Sequence, residues 1–110
     1  METKQRNISE TPDRWVILSL PNNNFKVFGS WAGGYLGADS WRLNSGISKV
    51  EEDSDNYYFY GMSGSCYKCH KKGYGIMTSY SIGILYDMLD KSKGLISLLE
   101  ESEIREKLEL

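Results

Sequence analysis

The sequence contains little proline, cysteine or histidine, with two proline, two cysteine and one histidine residues among 110. Two cysteines are too few for a disulfide-stapled scaffold, so we expect free thiols and a reducing compartment. No apolar run approaches the ~18 residues of a membrane-spanning helix. Residues 1–14 lack the apolar segment of a secretory signal. These absences predict a cytoplasmic protein that does not enter membranes.

Strong charge of one sign is absent as well. The formal net charge of −2 excludes a surface that binds polyanions indiscriminately. What the sequence does contain is aromatic residues, at 13%, and eleven glycines. Aromatic side chains fit the pleated surface of a sheet, and glycine favours tight turns. The length is that of one domain.

The order of the patterns predicts strands first and helices last. We predict a disordered lead-in over residues 1–12 and a single α+β domain over residues 13–110. Short apolar or alternating runs predict strands at residues 15–20, 25–31, 40–43, 57–62 and 65–70. A Pro-Asn-Asn-Asn turn at residues 21–24 predicts that the first two strands form a hairpin, because Asn tolerates left-handed backbone.

The pattern after residue 75 is helical. One apolar stripe has the i, i+3, i+4, i+7 spacing, formed by Ile82, Leu85, Tyr86 and Leu89. Thr78 or Ser79 is expected to cap this helix and Gly94 to end it. Residues 95–110 favour a second helix, although residues 95–99 also fit a last strand. The predicted architecture is an antiparallel meander sheet of about five strands, followed by one or two C-terminal helices packed on one face.

Both cysteines and the only histidine fall in one string, CYKCH, at residues 66–70. C-x-x-C-H is the attachment signature of c-type haem, and Cys66, Cys69 and His70 would also supply three of the four ligands of a zinc site. Haem attachment normally takes place outside the cytoplasm, and zinc needs a fourth ligand. A zinc or c-type haem protein is one alternative interpretation, although each of these requirements counts against it.

A strand at this position separates the same residues. Side chains three apart on a strand face opposite ways, so Cys66, Lys68 and His70 would share one face. Tyr67 and Cys69 would share the other, and Cys69 would be a small core residue. This interpretation, which we favour, expects no metal and no cofactor.

Basic and aromatic residues alternate in and after the same strand, at Tyr67, Lys68, His70, Lys71, Lys72 and Tyr74. Aromatic rings stack on bases and lysines neutralise phosphates. A single-stranded nucleic-acid-binding module is a second alternative, and it predicts affinity that falls steeply with salt. No nucleotide-binding loop or catalytic triad is evident, since the near match to G-x-S-x-G at residues 61–65 ends in Ser. We therefore do not expect an enzyme.

Three segments carry a resemblance, FGSWAGGY at residues 28–35, DSWRLNSGI at 39–47 and GSCY at 64–67. They resemble a group of small uncharacterised proteins encoded by bacteriophages and prophages. The resemblance covers residues 25–75, and its motifs are turn and core residues without an active site. It implies a protein that binds a host factor in the cytoplasm of a bacterial host.

The first hypothesis is therefore a non-enzymatic, phage-type interaction protein that binds a host protein or complex. Trp, Tyr and Arg dominate interface energetics, so the candidate contact residues are Trp31, Tyr35, Trp41 and Arg42. The identity of the partner, and whether the protein is a monomer or a homodimer, stay open at this point.

Overall fold

The computed structural model describes residues 6–33, 39–76 and 78–108. Its strands are β1 (Arg14–Leu20), β2 (Asn24–Trp31), β3 (Ser40–Leu43), β4 (Ile47–Glu52), β5 (Asn56–Gly61), β6 (Cys66–His70) and β7 (Ser97–Leu98). Its α-helices are α1 (Ser79–Lys91) and the single turn α2 (Ile104–Lys107), with 3-10 turns at Lys71–Gly73 and Glu101–Glu103. The α+β class predicted from the sequence is confirmed.

The strands form two antiparallel sheets rather than the predicted single meander. One has the order β3-β2-β1-β7 and the other the order β4-β5-β6. The predicted hairpin of β1 and β2 is present, with Asn22 and Asn23 in the left-handed region at φ of 64° and 56°. The chain leaves the first sheet at the buried Asn44, whose Oδ1 accepts a hydrogen bond from the Val27 N–H at 2.9 Å.

The inner faces of the two sheets enclose an aromatic core. Trp15 of β1 is fully buried, and its ring lies 5.8 Å from that of Tyr57 and 5.4 Å from that of Phe59. Ile104 of α2 is fully buried in the same cluster. The short C-terminal helix therefore closes one open side of the two packed sheets, which is why it folds despite having only one turn.

The helix α1 covers the other face of the four-stranded sheet. Val16, Leu18 and Phe28 of the sheet pack with Leu85 of the helix. The Thr78 side chain accepts a hydrogen bond from the Ser81 N–H, as predicted for the cap. The three layers are thus α1, the four-stranded sheet and the three-stranded sheet.

Two predictions for the elements need correction. Strand β4 was not predicted. Val50, which packs on the core, alternates with Lys49 and Glu51, but the acidic residues at the end of the strand obscured this pattern. The second helix favoured for the C-terminal segment is limited to the single turn α2, whereas the alternative of a last strand within residues 95–99 is confirmed by β7, which pairs with β1.

The predicted lead-in also differs from what the structure shows over the residues it describes. The Ser9 N–H donates to the Cys66 carbonyl at 2.9 Å, and the Lys68 N–H donates to the Glu10 carbonyl at 2.9 Å. Pro12 is buried against Gly29. Residues 6–10, called the strap below, add to the free edge of β6 because that edge offers unpaired backbone groups. Residues 1–5 lie outside the described residues.

Within the described residues, no helix is both long enough and apolar enough to cross a membrane.

Candidate functional site

Strand β6 divides the CYKCH string between two faces of its sheet. Cys69 is fully buried in the core between the sheets, opposite Tyr57. Cys66 pairs with Tyr60 and lies on the outer face, where it is 1% exposed. His70 shares that outer face but is exposed, and it lies four positions along the strand from Cys66, a distance of roughly 13 Å. The three side chains therefore do not converge.

The surroundings of the two thiols differ in polarity. Burial raises the pKa of Cys69 well above its usual range, so this thiol stays neutral. Burial also raises the pKa of Cys66, but the Tyr60 hydroxyl and the Arg6 guanidinium oppose that shift. No group of three His, Cys, Asp or Glu side chains is placed to hold a metal ion in the part of the chain that the structure describes. The geometry thus gives no support to the zinc or haem alternative.

The outer face of the three-stranded sheet is covered by the strap. The Arg6 guanidinium lies 3.9 Å above the centre of the Tyr58 ring, and its Nε donates to Glu51 Oε1 at 3.3 Å. Tyr60 donates its hydroxyl to the same Oε1 at 2.7 Å. Burial, followed by that hydrogen bond, raises the pKa of Tyr60 to about 12. Cys66 is enclosed beneath this ion-paired cluster.

The basic and aromatic residues proposed for nucleic-acid binding are not assembled on one surface. Tyr67 is 2% exposed in the inner core, and the Tyr74 hydroxyl donates to the Leu99 carbonyl. Lys71 lies 3.1 Å from Glu52 and above the Tyr57 ring. Lys68 is half-buried on the outer face, while Lys72 is exposed with His70. Neither aromatic ring of this set is exposed beside the lysines, since Tyr67 is buried and Tyr74 is half-buried against the core.

The residues proposed for partner binding are mostly held within the fold. Trp41 stacks on Phe28 at 5.4 Å between ring centres. The Trp31 Nε1–H donates to the Thr11 carbonyl at 3.1 Å, which ties β2 to the segment after the strap. Arg42 is exposed and pairs with Glu10 at 2.7 Å. Tyr35 lies outside the described residues. Among the described members of this set, only Arg42 is an exposed side chain.

A groove that the sequence did not reveal lies between α1 and the four-stranded sheet. Its cavity of about 280 Å³ is lined by Val16, Tyr74, Gly75, Ile76, Ile82, Leu85, Tyr86, Leu98, Leu99 and Glu100. Tyr86 is 59% exposed and Leu98 is 36% exposed at the rim. Tyr86 belongs to the apolar stripe predicted to face the sheet, but β7 is only two residues long and leaves that side of the helix uncovered. We call this feature the α1 groove.

One end of the α1 groove is acidic. Glu100 lines the cavity, and the 3-10 turn at Glu101–Glu103 follows it. Burial and the carboxylates of Glu100, Glu101 and Glu103 raise the pKa of Tyr74 to about 12. The groove therefore combines an apolar floor with a negative border.

No protein-family model, no curated protein and no solved structure matches this chain.

Proposed function

We propose that this protein is a non-enzymatic binding module that engages a protein partner through the α1 groove. The observation that supports the proposal is the pair of exposed apolar side chains, Tyr86 and Leu98, at the rim of a cavity with an apolar floor. Exposed apolar surface beside a concave site is typical of protein interaction surfaces. The phage resemblance directs the search for this partner to the proteins of a bacterial host.

The chemistry of the groove defines the side chain that enters it. The cavity of about 280 Å³ accommodates one large apolar or aromatic anchor, and such anchors dominate the energetics of interfaces. Glu100 at the border favours a basic residue next to that anchor. The expected partner therefore presents an apolar side chain flanked by Lys or Arg.

A photo-crosslinking experiment tests this proposal. A photoreactive phenylalanine replaces Tyr86 in one protein and Tyr80 in another, and both are irradiated in a bacterial lysate. Tyr80 is the matched control, because it is 51% exposed on the same helix but does not line the cavity. We expect one specific adduct from position 86, lost on Leu98→Asp and weakened by salt. Adducts that are identical from both positions would contradict the proposal.

A further inference from the structure

The edges of the two sheets differ in how they are covered. In the four-stranded sheet the edge strands are short, with four residues in β3 and two in β7. In the three-stranded sheet the β6 edge carries the strap, through the Glu10–Tyr67 bridge. The remaining edge strand, β4, has six residues and, within the described parts of the chain, no strand on its outer side. Such an edge offers a template for another strand.

A second groove, of about 490 Å³, runs beside β4. Four consecutive residues of the strand, Ile47, Ser48, Lys49 and Val50, line it. Consecutive side chains of a strand point to opposite faces, so a groove lined by four in a row lies along the edge and not over a face. The opposite wall consists of Asn23, Phe25, Glu106, Lys107 and Leu108. We call this feature the β4 groove.

Some backbone N–H and carbonyl groups of β4 point into this groove, where they can pair with an added strand. The Asp53 N–H donates to the Asn56 carbonyl at 3.0 Å, which fixes the first hydrogen-bonded pair of the hairpin. Hydrogen-bonded pairs alternate along an antiparallel ladder, so Glu51 and Lys49 turn their backbone groups to β5. Val50, which lies between them, turns its N–H and carbonyl into the β4 groove. The same alternation turns the backbone groups of Glu52 away from β5, and the register shift between Ile47 and Lys49 ends the regular pairing next to Val50.

The two walls define the side chains of that strand. On the inner side Val50, Phe25 and Leu108 pack against the core and offer apolar contact. On the outer side Lys49 is 60% exposed and 3.5 Å from Glu51 Oε2. A side chain opposite Lys49 on an added strand would be ~5 Å away between Cβ atoms, close enough for an ion pair.

The geometry points to the β4 groove as a site for an extended peptide segment of a partner protein, which adds a strand to β4 with an apolar residue beside Val50 and acidic residues beside Lys49. The strap shows the same mode of addition within this molecule, at the opposite edge of the same sheet. Backbone hydrogen bonds supply affinity in such complexes, and alternate side chains supply specificity. This site is separate from the α1 groove, with no lining residue in common.

The test is a titration of the full chain, labelled with 15N, with the peptide Glu-Val-Glu-Val-Glu while backbone amide signals are recorded by NMR. We expect the signals of Ile47 and Val50 to shift most. Two peptide controls accompany it, the same peptide N-methylated at alternate residues and the basic peptide Lys-Val-Lys-Val-Lys. The first cannot pair with the edge and should not bind. The second should bind about tenfold more weakly, because Lys49 repels it while Glu51, on the same face, is already paired with Arg6.

Two matched variants examine the edge itself. Val50→Pro removes the N–H that faces the groove and leaves the ladder to β5 in place, whereas Val50→Ala keeps that N–H. We expect Val50→Pro to weaken the acidic peptide about tenfold relative to Val50→Ala. Lys49→Glu should reverse the preference between the acidic and the basic peptide. If Val50→Pro does not fold, the N-methylated peptide applied to the unmodified protein still decides whether backbone pairing occurs.

Several results would overturn the inference. Absence of shifts at Ile47 and Val50 with every peptide would do so, as would equal binding of the N-methylated peptide. Shifts of these signals with protein concentration alone, together with a dimer mass, would replace the peptide partner by a second copy of the chain. None of these results bears on the α1 groove, which the crosslinking experiment tests separately.

Discussion

The two faces of the three-stranded sheet are built from the same three strands but are stabilised by different interactions. The inner face buries Tyr57, Phe59 and Cys69 against Trp15 of β1, and Lys71 approaches this cluster only at its rim, over the Tyr57 ring. The outer face buries Tyr58 and Cys66 beneath the strap, which is held by Arg6 and by backbone pairing. The first face is stabilised by apolar burial and the second by charge-assisted contacts at the surface.

This difference explains why a motif of five residues does not form one site. Cys66 and Cys69 are three residues apart, and on strand β6 that spacing sends one thiol to each face. In a helix or a loop the same string would bring its side chains together. The chemistry of C-x-x-C-H therefore depends on the secondary structure that carries it.

The largest expected effect contrasts two neighbouring aromatic residues of β5. Phe59→Ala removes a fully buried ring from the inner core and should lower the free energy of unfolding by about 3–5 kcal/mol. Tyr58→Ala removes a ring from the outer face and should lower the free energy of unfolding by about 1–2 kcal/mol. The loss is smaller because the strap can move to fill part of the space that the ring leaves. Urea unfolding followed by circular dichroism measures both. Equal losses would mean that the outer face is as tightly packed as the inner one.

A smaller effect separates the two cysteines. Cys69→Ser places a hydroxyl in a fully buried apolar cluster, and an unsatisfied buried hydroxyl costs about 1–3 kcal/mol. Cys66→Ser places the hydroxyl beside polar groups of Tyr60 and Arg6 and should cost under about 1 kcal/mol. Chemical denaturation of the two variants in reductant gives the comparison. A larger loss for Cys66→Ser would reverse the assignment of faces.

The smallest effect is a dependence on acid at the outer face. The Tyr58 hydroxyl, with the backbone N–H groups of Asp55 and Asn56, lowers the pKa of Asp53 from 3.8 to about 2. A depressed pKa in the folded state means that Asp53 stabilises the fold above pH 3.8 and loses this contribution as the pH falls to about 2. Asp53→Asn should therefore flatten the fall of thermal stability over that interval. If the melting temperature of Asp53→Asn fell with decreasing pH as steeply as that of the unmodified protein, Asp53 would play no part in the acid dependence.

Local patterns in the sequence were sufficient for some elements. The Asn-rich turn between β1 and β2, the capping of α1 by Thr78 and the alternation in β6 each depend on a few neighbouring residues. These features follow from backbone preferences that act over one turn or one strand, and the structure has them as predicted.

Features that depend on distant pairing were not predictable in the same way. The division into two sheets depends on which strands Trp15 and Tyr57 bring together across the core. The α1 groove exists because β7 pairs with β1 over only two residues, which leaves Tyr86 exposed. The two aromatic faces of β5 indicated either that both are covered or that one is a contact surface, but not that Arg6 of the strap covers one of them.

The most direct test of the account is the rate at which each thiol reacts in the folded protein, measured by mass spectrometry after exposure to an alkylating reagent. Cys66 should react first, because local opening of the strap exposes it, and Arg6→Ala should accelerate that reaction alone. Cys69 should react only at the rate of global unfolding. Reaction of both thiols together, unaffected by Arg6→Ala, would contradict the division of the sheet into a strap-covered face and a sealed core.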